Sequence, residues 1–170
     1  FFTGFLDDYL SIKNRKNTGL KSKEKFILQS IISIIFIFIA YENDLINPLI
    51  KISESWEIDT SIFIFPISFL VLVGISNSVN LTDGLDGLAA GCSGIVFYGL
   101  GTEILMKEQK ELFVFSLLCY SMSGICLGFL KYNNYPAKIF MGDTGSLSIG
   151  AILGSIALLT NSVFTLSIFS

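Results

Sequence analysis

The sequence contains no histidine, so neither imidazole acid–base chemistry nor a His-based metal site can be built from these residues. It is poor in charge: Asp, Glu, Lys and Arg make up 15% of its 170 residues, against about a quarter in ordinary globular chains. Its three cysteines, Cys92, Cys119 and Cys126, all lie in apolar stretches. They read as buried small hydrophobes rather than disulfides or metal ligands. There is no basic arm and no alternation of aromatic and basic residues, so nothing points to nucleic acid. No GxxxxGK[ST] or kinase-type glycine-rich loop is present, which argues against ATP hydrolysis. What the chain has in plenty is apolar length: 52% of residues are hydrophobic, with a mean hydropathy of +0.69. Its charges are segregated into a few short stretches, which places it among integral membrane proteins.

Five long apolar segments are expected to span, roughly 26–41, 60–79, 87–106, 112–130 and 146–169. Most approach the ~20 residues needed to cross a hydrocarbon core. Lipid offers the backbone no partners, so such segments must be helical. Residues 1–6 read as the last turns of a further span. The expected architecture is therefore all-α and polytopic, a single transmembrane domain over residues 1–170. Pro66 falls within the second segment and is expected to kink it. The start at Phe1-Phe2, without Met or a signal pattern, and the apolar run at the other end are read as the cut ends of a fragment.

Charge sets the expected sidedness. The stretch 7–25 carries Lys13, Arg15, Lys16, Lys21, Lys23 and Lys25, whereas 42–59 carries five acids and only Lys51. The positive-inside rule makes the first cytoplasmic and the second external. Counting crossings, loops 80–86 and 131–145 are also cytoplasmic and 107–111 is external. Asp7, Asp8, Asp83, Asp86 and Asp143 then gather at one membrane face beside the lysines.

Three constellations offer chemistry. Asp7-Asp8 is either a solvated helix terminus or a pair that binds Mg²⁺ or accepts a proton. Asn80, Asp83 and Asp86 recur at every third position, which on a helix puts them on one broad face. Gly84 and Gly87 allow tight turns or close approach of a ligand there, and Gly87 and Gly91 equally suit helix packing. In PAKIFMGDTGS (136–146), Asp143 or Thr144 reads as an N-cap of the last span. A helix N-terminus also suits phosphate, and Lys131 and Lys138 lie just before it. Carboxylates, amides, lysines and helix ends converging on one interface fit Mg²⁺, which takes one or two carboxylates and fills its shell with phosphate oxygens and water.

At GFLDDY (4–9), NLTDGLDGLA (80–89) and PAKIFMGDTGSL (136–147) the chain resembles the polyprenyl-phosphate N-acetylhexosamine-1-phosphate transferase superfamily. Within it the wording is similar to the phospho-N-acetylmuramoyl-pentapeptide-transferase (MraY) branch, and GLKSKEKF (19–26) resembles that branch's basic loop. The resemblance implies transfer of phospho-MurNAc-pentapeptide from UDP-MurNAc-pentapeptide to undecaprenyl phosphate, yielding lipid I and UMP, in the first membrane step of peptidoglycan synthesis. It implies Mg²⁺ on Asp143, with Asp7 deprotonating the lipid phosphate beside an essential Asp8 and an essential Lys25. Asn80, Asp83 and Asp86 match the branch's polar triad, Asp83 near the nucleoside. Asn133 and Phe140 match uridine-pocket positions, Phe140 stacking on the base. It further implies a multi-pass protein of the cytoplasmic membrane, its site on the cytoplasmic face, and a homodimer. The branch also carries a histidine-rich loop and earlier spans that these residues lack, as expected of a fragment.

The nearest rival is a sister GlcNAc-1-phosphate transferase that initiates O-antigen or teichoic acid. A secondary transporter is more distant: it would place acids near the midplane in both halves of a repeat, and no repeat is evident.

Overall fold

The computed structural model describes residues 1–15, 19–53 and 56–169, with side chains described outside 50–58 and 167–169. Lys16 and Glu54, which enter the charge asymmetry, lie outside the described residues. The helices are α1 (Phe2–Asn14), α2 (Ser22–Glu42), α3 (Ile64–Thr82), α4 (Leu88–Met106), α5 (Phe113–Asn133), α6 (Gly142–Leu159) and α7 (Val163–Phe169). Five stretches are long and apolar enough to cross a membrane: Ser22–Glu42, Ser61–Thr82, Leu88–Met106, Lys110–Asn133 and Gly142–Leu159. The chain is thus an all-α polytopic membrane protein, as its apolar runs require.

Several boundaries depart from expectation, each for a local reason. Residues 7–14 are not loop: α1 runs on through both aspartates to Asn14, with Lys13 in its last turn and Arg15 left-handed at φ 50°. Its acids find partners on other elements, which removes the reason to end the helix. α2 begins at Ser22, where the Glu24 carboxylate accepts the Lys21 N–H at 2.9 Å, half of a capping box. The acidic stretch after α2 holds a small antiparallel hairpin, β1 (Leu49–Ser53) with β2 (Trp56–Asp59). Pro66 lies within the span Ser61–Thr82 as expected, but in the first turn of α3, directly after a 3-10 turn at Ser61–Phe63, rather than in a helix interior. There the missing N–H removes little, since first-turn amides lack intrahelical acceptors.

The expected final span, 146–169, is two helices. α6 starts earlier, at Gly142, and stops at Leu159; Asn161 turns left-handed at φ 54° and α7 follows. Lys107, at the end of α4, holds this break open. Its Nζ donates to the carbonyls of Thr160 (2.9 Å) and Asn161 (3.3 Å) and to Ser162 Oγ (2.7 Å), and pairs with Glu103 at 3.0 Å. A cation there complements the negative end of the α6 dipole.

α6 is the central helix. One core cluster joins Phe97, Leu100 and Ile104 of α4 and Cys119 and Cys126 of α5 to Ile149, Leu153, Ile156 and Ala157 of α6. A second joins Ile37 and Ala40 of α2 and Ile64 and Leu72 of α3 to Leu158 of α6. Small residues bring the backbones close, as membrane helices require. A Cβ on Gly150 would stand 2.6 Å from the Ile75 carbonyl oxygen, and Ser76 Oγ donates to the Leu147 carbonyl at 2.8 Å. On α5, Ser116 and Ser123 likewise donate to the carbonyls of Gly101 and Gly94 on α4, both at 2.8 Å. Cys119 and Cys126 are buried as expected, but Cys92 is exposed, facing outward from α4. α2 is the least enclosed span, with 17% of its apolar window buried.

Candidate active site

Asp7 and Asp8 lie mid-way along α1, whereas Asp83, Asp86 and Asp143 lie at or between helix ends, and all but Asp86 meet in one cluster. α1 delivers Asp7 and Asp8. It approaches α6 so closely that a Cβ on Gly4 would lie 2.2 Å from the Asp143 carbonyl oxygen. One turn after Gly4, the Asp8 carboxylate reaches the first turn of α6. It accepts the N–H of Asp143 (3.3 Å), the N–H of Thr144 (2.9 Å) and the Thr144 hydroxyl (2.5 Å). Neither Asp143 nor Thr144 caps α6, then; an aspartate from another helix does. A carboxylate there satisfies free amides and meets the positive end of the dipole.

Asp7 is buried at 7% exposure. Its Oδ1 accepts the Leu20 N–H at 2.7 Å, and its Oδ2 pairs with Lys25 Nζ at 3.2 Å. Gly19 makes room for this: a Cβ there would lie 2.2 Å from the Asp7 carbonyl oxygen. Lys25, in the first turn of α2, also donates to Asp143 Oδ2. The other oxygen of Asp143 accepts Asn80 Nδ2 at 2.9 Å, and the same Nδ2 reaches Ser146 Oγ at 2.9 Å. Oxygens of Asp7, Asp8 and Asp143 all lie within 4.8 Å of one another. Three carboxylates at that spacing are an all-oxygen donor set suited to a hard divalent cation.

Asn80, Asp83 and Asp86 do not share a helical face, because α3 ends at Thr82. Asn80 is in its last turn, Asp83 follows as the C-cap, and Asp86 is in the turn before α4. Asp83 still reaches the cluster, taking a hydrogen bond from the Gly142 N–H. Burial first, then the charges of Asp143 and Asp8, push its carboxyl above the ordinary carboxylate range, and the Gly142 amide only partly opposes them. Asp86 points elsewhere: its Oδ2 accepts the Ala137 N–H at 2.9 Å.

Asn133 is 2% exposed. Its oxygen accepts the Gly87 N–H at 3.1 Å and its nitrogen donates to the Ile139 carbonyl at 2.9 Å. Gly87 is left-handed at φ 76°, which L side chains rarely adopt. Asn133 therefore ties the start of α4 to the segment before α6. Phe140 is 76% exposed at the rim, free to meet a flat ligand. Sequence reasoning read Thr144 as a cap of its own helix rather than a partner of Asp8, and missed Ser146, Leu20, Gly4 and Gly19; a signal was available only for the two glycines, each placed a few residues from a motif acid or lysine.

Fold and site together define a polytopic helical membrane protein whose acidic cluster, threaded by a lysine, sits at the membrane's edge. The family model for glycosyl transferase family 4 matches residues 1–161, and the chain belongs to that family. It is 85% identical over its full length to a phospho-N-acetylmuramoyl-pentapeptide-transferase of Prochlorococcus marinus (strain MIT 9312), covering 48% of that protein. It is 69% identical over its full length to the enzyme of that name from P. marinus subsp. pastoris (strain CCMP1986 / NIES-2087 / MED4), covering 47% of it. To the enzyme of that name from Listeria monocytogenes serovar 1/2a it is 44% identical over 158 residues, 93% of this chain and 48% of that protein. The chain thus spans about half the length of these relatives.

Proposed function

We propose that the full-length protein transfers phospho-MurNAc-pentapeptide from UDP-MurNAc-pentapeptide to undecaprenyl phosphate, giving lipid I and UMP. The observation that carries this is the meeting of Asp7, Asp8, Lys25, Asn80 and Asp143, from four separate stretches, around one point at the end of the bundle. A phosphate presented from the bilayer and a water-borne diphosphate can both reach such a rim. The 85% identity to proteins of that activity supports this donor over UDP-GlcNAc.

In the reaction, an oxygen of the lipid phosphate bonds to the β-phosphorus of the donor. The bond from that phosphorus to the oxygen bridging to UMP breaks, and UMP departs. Asp7, oriented by the Leu20 amide and by Lys25, is placed to take a proton from the lipid phosphate. Lys25, the cation at this cluster, offsets the anionic charge. Asp143, with Asp7 and Asp8, would hold Mg²⁺, which when bound neutralises diphosphate charge. Phe140, at the rim, is placed to stack on the uracil. Positive-inside counting puts this rim on the cytoplasmic face of the cytoplasmic membrane.

The test is an assay of the full-length protein with UDP-MurNAc-pentapeptide and with UDP-GlcNAc. Turnover of the first alone is expected; turnover of only the second would transfer the chain to the sister branch. Direct attack also predicts no exchange of labelled UMP into the donor without a lipid acceptor, and such exchange would mean a covalent enzyme intermediate.

A further inference from the structure

We infer that Lys25 is a tethered cation competing with the divalent metal for the same carboxylate oxygens, so that metal entry displaces its ammonium toward the incoming diphosphate. The inference rests on the divalent-cation reading above and goes beyond it to how the site loads. Lys25 Nζ pairs with Asp7 Oδ2 at 3.2 Å and, more closely, with Asp143 Oδ2. These belong to two of the three carboxylates whose oxygens lie within 4.8 Å of one another. The ammonium therefore stands between them.

Mg²⁺ or Mn²⁺ sits about 2.1 Å from each ligand oxygen. An ion bound to both of these oxygens would fall within a few ångströms of Nζ, with no room for water between the two cations. Like charges at that separation repel strongly in a partly buried site. The carboxylates can accept the ammonium or the metal, but not both in this geometry. The other anchors do not compete. Asp8 stays on the α6 amides, and Asn80 holds the far oxygen of Asp143.

Lys25 has a way out. It lies in the first turn of α2, its side chain is 24% exposed, and Lys21 and Lys23 beside it are open to solvent. Once released, the ammonium faces the open end of the bundle from which a nucleoside diphosphate would approach. Metal loading would thereby arm a phosphate-binding lysine, linking the two events without any larger rearrangement.

Mn²⁺ binding to the full-length protein, without nucleotide, reads this directly by the spin resonance of free Mn²⁺. Lys25→Met is expected to bind Mn²⁺ at least tenfold more tightly than wild type, and Lys25→Arg close to wild type. Should Lys25→Met fail to fold, the wild-type protein suffices. Saturating Mg²⁺ should increase acylation of Lys25 relative to Lys21 and Lys23, read by mass spectrometry. Unchanged or weaker Mn²⁺ binding in Lys25→Met, or Lys25 acylation that is unchanged or reduced by Mg²⁺, overturns the inference alone. Absence of Mn²⁺ binding in every form overturns the metal reading with it.

Discussion

Asn133 spends both ends of its amide on backbone atoms 46 residues behind it and six ahead. Resemblance placed it in a nucleoside pocket. The structure shows a side chain whose hydrogen-bonding groups already face Gly87 and Ile139, so its contribution to any pocket passes through the loops it holds. Replacing it with alanine leaves a buried N–H and a carbonyl without partners, at about 1–3 kcal/mol for each such group. Asn133→Ala should therefore lower thermal stability as well as turnover, and a variant with full stability would return Asn133 to a direct ligand role. Asp83 makes the opposite case. Its carboxyl is raised by burial and by Asp143 and Asp8, against the single Gly142 amide. A raised folded-state pKa means stability is greatest with the group protonated and declines as pH rises through the raised value. In chelator, Asp83→Asn should flatten the decline of melting temperature with pH and raise stability at neutrality. An unchanged pH profile would remove Asp83 from the cluster's electrostatics.

At the scale of elements, the apolar runs revealed which helices exist but not where they stop. The reason is physical: the stops are set by partners distant in sequence. α1 continues past residue 6 because Asp7 and Asp8 are met by Leu20, Lys25 and α6. α6 begins four residues early because Asp8 caps it, and ends early where Lys107 takes the Thr160 and Asn161 carbonyls. Close crossings were equally hidden, since a glycine in an apolar run looks like many others. Gly4 is the decisive one. A methyl group there, 2.2 Å from the Asp143 carbonyl oxygen, must push α1 away from α6. Gly4→Ala should cost about 1–3 kcal/mol of stability and reduce turnover about a hundredfold, the order seen when a charge-stabilising contact is lost. Its helical content should stay intact by circular dichroism. Near wild-type activity would show that the α1–α6 crossing does not set the position of Asp8.

For the whole molecule, the odd-even count of crossings assigns loops 7–25, 80–86 and 131–145 to one side and 42–59 and 107–111 to the other. Hydrogen bonds now join Asp8 to Thr144, Lys25 to Asp143 and Asp86 to Ala137 at one end. At the other end Lys107 meets the α6–α7 turn, and Asn161 donates to the Leu49 carbonyl at 2.6 Å. Single cysteines at Leu85 and Phe140, both exposed, should label from one side of the membrane, and one at Glu108 from the other, with native cysteines replaced. Labelling of positions 85 and 140 from opposite sides would dismantle this topology and the shared site with it.

The central helix carries a fixed counter-charge at each tip, an anion from α1 at its start and a cation from α4 at its finish. Sliding α6 along its own axis by even one turn would strip both at once, so it is braced against piston motion. α2, mostly turned to lipid, is tied to α6 through Lys25 on Asp143 and to α3 through Gln29, which accepts Asn77 Nδ2 at 2.7 Å.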